Sequence, residues 1–160
     1  MSGIRAMSVA VVLAGTLTAC GSGSDVGASP CKLITKADVQ KTISGMVAKE
    51  PSENGGKGYR GCSYGDAKPA SSYYVDILVD WHAGRAGFNG ERKAAMAKTG
   101  SVVRAIDGVG DEAFSYVAPG GFSTGAVEAR RGSVTVRVSV TADDPVRYSK
   151  EFVEIALRRL

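Results

Sequence analysis

Residues 134–141, VTVRVSVT, alternate without a break. Val134, Val136, Val138 and Val140 fall on one side; Thr135, Arg137, Ser139 and Thr141 fall on the other. Successive side chains of an extended chain point to opposite faces, so this run specifies a strand with one apolar and one polar face. Half-buried strands of this kind are characteristic of antiparallel sheets. Arg131-Gly132, just ahead of the run, is a turn signal, and the residues from 124 onward supply the other arm of a hairpin. YYVDILVDW at 73–81 has the same period, with Tyr73, Val75, Ile77, Val79 and Trp81 on one face and Tyr74, Asp76, Leu78 and Asp80 on the other.

Shorter strand patterns begin at Cys62, at SVVRAI (101–106) and within GVGDEAFSYV (108–117). Between them lie helical patterns. Thr35 is placed to cap a helix, Asp38 three residues on completes a capping box, and Ile34 with Val39 forms a hydrophobic staple. Gly45 is its stop. Residues 88–99 read as a second helix ended by Gly100. The last helix starts at Asp144-Pro145, carries Tyr148, Phe152, Ile155 and Ala156 as an apolar stripe, and ends with Arg158 and Arg159 where cations suit the helix dipole. Residues 50–61, EPSENGGKGYRG, read as loop. A chain of 160 residues is one domain. The order helix, strands, helix, strands, helix predicts an α+β fold: a single twisted antiparallel sheet with helices packed on one face and one disulfide.

That disulfide follows from three cysteines and the N-terminal segment. Residues 1–8 carry one positive charge, Arg5, and no acid; residues 9–19, VAVVLAGTLTA, are apolar or small. This is the n-region and h-region of an export signal, and it is shorter than the ~20 apolar residues of a membrane-spanning helix. Leu17-Thr18-Ala19-Cys20 resembles a bacterial lipobox, in which the cysteine thiol takes a diacylglycerol anchor of palmitate-like chains and becomes the first mature residue. The expected organisation is a signal peptide at 1–19, a flexible tether at 20–30 and a globular domain at 31–160. With Cys20 assigned to lipid, Cys31 and Cys62 remain as a pair, and an exported pair is expected to be oxidised. The rival reading, a metal site, lacks partners: His82 is the sole histidine and no Cys-x-x-Cys occurs. The expected location is the cell membrane, extracytoplasmic face, held by the lipid.

PCKLITKADVQ, then GCSYG, then GVGDEAF, an alternating valine strand and a final helix together resemble a group of small actinobacterial lipoproteins built on a domain of unknown function. Cys31, Leu33, Ile34, Thr35, Asp38 and Val39 match its first segment. Cys62 and Tyr64 match its second, and Gly108, Gly110, Asp111, Glu112 and Ala113 its third. The resemblance covers most of the chain after the leader. It implies a Cys31–Cys62 bridge and a surface-anchored domain, and it brings no catalytic residue with it.

Charge and motifs narrow the function. The net charge is +4, or +3 without Arg5, and no run of five basic residues exists, so no nucleic-acid partner is expected. Gly108-Val109-Gly110 lacks the third glycine of a dinucleotide loop and reads as a turn; no cofactor is expected. Asp76 and Asp80 lie about 13 Å apart along one strand face, too far for the usual paired-carboxylate hydrolysis, and read as a wet face. Tyr59, Tyr64, Tyr73, Tyr74 and Trp81 gather around the first strands, and Tyr59, Tyr64, Tyr74 and Trp81 are the candidate ligand-binding residues. The loop at Pro119-Gly120-Gly121 is a candidate recognition loop. The expectation is a non-catalytic module that binds a small molecule, lipid or protein at the envelope. The alternative is an envelope hydrolase with His82 as its base.

Overall fold

The structure, a computed structural model, describes residues 27–69, 71–98, 100–118 and 124–160. In chain order the elements are α1 (Pro30–Leu33), α2 (Lys36–Thr42), β1 (Ser52–Gly55), β2 (Tyr59–Gly65), β3 (Tyr74–Asp80), α3 (Gly84–Ala97), β4 (Val102–Ile106), β5 (Glu112–Val117), β6 (Thr124–Arg131), β7 (Val134–Thr141) and α4 (Pro145–Arg159). The seven strands form one antiparallel sheet in the order β1-β2-β3-β7-β6-β5-β4. The α+β class, the single antiparallel sheet and the Cys31–Cys62 bridge are as the sequence implies.

Alternation sets the two faces. Val138 pairs with Ile77 on one side and Val127 on the other, so the valines of β7, Val75, Ile77 and Val79 of β3, and Val127 and Ala129 of β6 lie on a common core face. Helix α4 lays Tyr148, Phe152, Val153, Ala156 and Leu157 onto that face. Full burial of one such large apolar side chain contributes roughly 1.5–3 kcal/mol. The same face carries α1 and α2. The Thr35 capping box is reciprocal: the Asp38 amide donates to Thr35 Oγ1 at 3.3 Å and the Thr35 amide donates to Asp38 Oδ2 at 2.8 Å. Ile34 and Val39, the staple pair, are both buried. Arg159 at the far end of α4 donates to both Asp38 oxygens, at 2.6 and 3.0 Å, and to the Leu33 carbonyl at 2.8 Å.

Two elements go beyond the sequence pattern. The stretch read as loop at 50–61 contains β1 and the start of β2, which pair through Glu53↔Cys62 and Asn54↔Gly61 across a turn where Gly58 has φ 89°. All four β1 residues are exposed on a sheet edge and none is apolar and large, so no apolar alternation marks the strand. Helix α3 begins at Gly84 rather than 88 and lies on the opposite sheet face from the other three helices. Its Phe88 meets Phe114 edge-on with centroids 5.2 Å apart, while Ala113, the neighbour of Phe114, belongs to the core face. The reason is topological. The chain must travel from β3, inside the sheet, to β4 at the far edge, and α3 is the crossing.

Candidate functional site

The crossing helix makes a cleft. Leu78↔Arg137, Asp80↔Thr135 and Glu128↔Arg137 are directly paired positions, so register alone sets Leu78 and Asp80 of β3, Thr135 and Arg137 of β7 and Glu128 of β6 side by side on the face turned away from the main core. Over them α3 and the residue before it present Ala83, Gly87 and Glu91, spaced four apart and therefore one stripe. Phe88 and Ala95, on a neighbouring stripe, are the buried residues that seat α3 on Phe114. Ala83 and Gly87 are too small to fill the space beneath them. A hollow of about 120 Å³ remains between helix and sheet.

The floor of the hollow is polar. Glu128 is 1% exposed, yet its Oε1 has no hydrogen-bond partner among the described residues. Arg137, directly across the strand pair, is turned toward Glu91 instead, with Nη1 3.0 Å from Oε2. Burial raises the Glu128 carboxyl to about 7, against the lowering pull of the Arg137 charge. The Thr135 hydroxyl, also buried, has no partner among the described residues. Asp80 at the rim accepts from the His82 amide at 2.8 Å. A buried carboxylate and hydroxyl left unmatched each cost on the order of 1–3 kcal/mol, which a matching guest would offset.

The residues singled out by the sequence are dispersed. Cys20 and the Pro119-Gly120-Gly121 loop lie outside the described residues. Cys31 and Cys62 are bridged, tying α1 to β2. Tyr64 is fully buried on the core face and donates its hydroxyl to the Ile34 carbonyl at 2.7 Å; burial pushes the phenol up to about 12. It has no surface to offer a ligand. Trp81 packs against the core and covers Gly27, whose side-chain position would fall 1.9 Å from the indole Nε1. Tyr59 and Tyr74 are exposed on the other sheet face but at opposite ends of the β2–β3 pair, opposite Asp80 and Gly65 respectively. The four aromatic residues thus form no common patch. Asp76, expected on a wet face, accepts from Ser63 at 2.8 Å. His82 is exposed.

The Gly-x-Gly-Asp-Glu-Ala turn is a structural joint. Gly110 has φ 61° and its backbone lies so near Arg130 that a side chain would come within 2.5 Å of that carbonyl. Arg130 is held by Asp111 at 3.1 Å and Glu112 at 3.2 Å, and the Asp111 carboxylate also accepts from the Gly132 amide at 2.8 Å. The motif locks the β4–β5 turn onto the β6–β7 hairpin. Glu128, Thr135 and Glu91 carry no sequence motif. The available signal was the hairpin register, which sets Glu128 opposite Arg137. No family model, curated protein or solved structure matches the chain.

Proposed function

We propose that this chain is a cell-envelope lipoprotein, anchored through Cys20 at the extracytoplasmic face of the membrane, whose domain binds a ligand without chemically changing it. The observation that carries the binding reading is the cleft under α3, a preformed hollow with an unmatched buried carboxylate and hydroxyl on its floor. The anchored, exported location draws support from the Leu17-Thr18-Ala19-Cys20 sequence and from the bridged Cys31–Cys62 pair, which suits an oxidising compartment. We assign attachment to the lipid; among the described residues no helix is long and apolar enough to cross a membrane.

Two measurements test this. Cys20→Ala is expected to release the chain from salt-washed membranes; retention of the variant overturns the anchor. Native mass spectrometry of the purified protein is expected to show a bound small molecule that Ala83→Phe, which fills the hollow, displaces. Turnover of cell-wall fragments by the purified chain, lost in His82→Ala, would overturn the non-catalytic reading.

A further inference from the structure

We infer that the cleft recognises a small organic cation, an ammonium or guanidinium head on a short apolar stem, with Glu128 as counter-charge and Thr135 as second acceptor. The inference rests on the binding reading above and names its ligand class.

Three observations converge. The hollow has more acid than base around it: Asp80, Glu91 and Glu128 face a single Arg137. That arginine is already engaged by Glu91, and neither Asp80 nor Glu128 has an ion-pair partner among the described residues. Next, the unmatched atoms that line the hollow suit a donor; Arg130 Nε, an unmatched donor opposite Thr135, lies outside the lining. Glu128 Oε1 as carboxylate only accepts, Thr135 Oγ1 can accept, and an N–H-rich cationic head supplies donors to both. Finally, Leu78, Ala83 and Gly87 give the remaining wall an apolar surface against which an alkyl stem lies. A volume of about 120 Å³ is on the order of four liquid water molecules, enough for such a head and the start of its stem. A metal ion fits less well, because among the described residues no group of three or more His, Cys, Asp or Glu side chains is arranged to hold one.

The site also carries a built-in pH dependence. Glu128 is faced by Asp80 from β3, Arg137 from β7, Glu91 from α3 and the uncharged Phe114 from β5, while Arg130, further along β6, is held by Asp111 and Glu112. Burial raises its carboxyl to about 7, so it is mostly protonated at pH 6 and mostly ionised at pH 8. A cation selects the ionised form, and its affinity rises about tenfold across that interval.

The test is an amide NMR titration of the 160-residue chain with n-butylammonium and n-butylguanidinium, and with n-butanol and n-butyrate as neutral and anionic counterparts. Saturable shifts are expected at Leu78, Gly87 and Thr135 with the two cations, about tenfold tighter at pH 8 than at pH 6. Glu128→Gln should weaken binding about ten- to hundredfold, the usual worth of a charged hydrogen bond. Thr135→Val keeps the shape and removes an unmatched hydroxyl, so it should weaken binding several-fold while the melting temperature holds or rises. A butanol or butyrate that binds these residues as tightly as the cations overturns the cation inference but spares the binding module. So does affinity unchanged in both variants. No saturable shift with any of the four probes overturns the inference and leaves the cleft without a ligand.

Discussion

Glu128 and Asp38 titrate in opposite senses, and each leaves its own mark on stability. The folded Glu128 carboxyl sits near 7 against an ordinary 4.5, so the folded state holds that proton more tightly than the unfolded chain. The resulting stability is complete below about 4.5 and is lost as pH rises through 7; the difference is at most about 3 kcal/mol. Urea unfolding should therefore show the wild type falling behind Glu128→Gln between pH 5 and 8, and parallel pH curves would refute the assignment. Asp38 is held well below the usual carboxylate range by the hydrogen bonds from Arg159, against the cost of burial. Its contribution is present at neutral pH and disappears as pH falls below about 3.8 toward its folded pKa, so Asp38→Asn should blunt the acid limb of the same curve. Asp38 was legible because a cap is local: Thr35, three residues away, announces it. Glu128 was not. In TGAVEARR it alternates with apolar residues and reads as a solvent-facing side chain; only a helix arriving from elsewhere in the chain buries it.

At the scale of elements, α3 and α4 are differently secured. Six α4 residues are buried, against two of α3, Phe88 and Ala95. Neither helix has a side-chain cap hydrogen bond, but α3 contains Gly87 and Gly90 while α4 contains no glycine. The amides of α3 should exchange with solvent well before those of α4, giving the roof of the cleft a lower opening free energy than the helix on the other face of the sheet. Gly90 is exposed, and an added Cβ there would meet nothing within 4 Å. Gly90→Ala should stabilise by about 0.5–1 kcal/mol and slow exchange in α3 selectively, measurable by denaturant titration and hydrogen exchange; an equal slowing in α4 would contradict the division. Strands β3 to β7 and helix α4 could be read from period, and α2 from its cap, because those signals are local. The β1 edge strand could not, since backbone pairing leaves no trace in exposed polar side chains. The face chosen by α3 was equally hidden, because alternation assigns side chains to faces but does not say which face a connection will cross.

The whole molecule is closed by ties between distant parts of the chain. Arg159 reaches the start of α2, and the Cys31–Cys62 bridge spans 31 residues to hold α1 against β2. Replacing both cysteines by serine should cost about 3–4 kcal/mol in the chain-entropy account, read as a lower denaturant midpoint with the cleft residues still cooperative with the core. A midpoint unchanged by the substitution would mean that α1 and β2 are held by packing alone. These ties bring the end of α4 to the junction between α1 and α2. The indole of the chain's one tryptophan, Trp81, lies over Gly27 in the segment leading into α1. Its fluorescence is consequently a native gauge for the contact between Gly27 and the rest of the domain. Lifting Gly27 away would wet the ring and shift its emission to the red, with no dye attached and no residue changed.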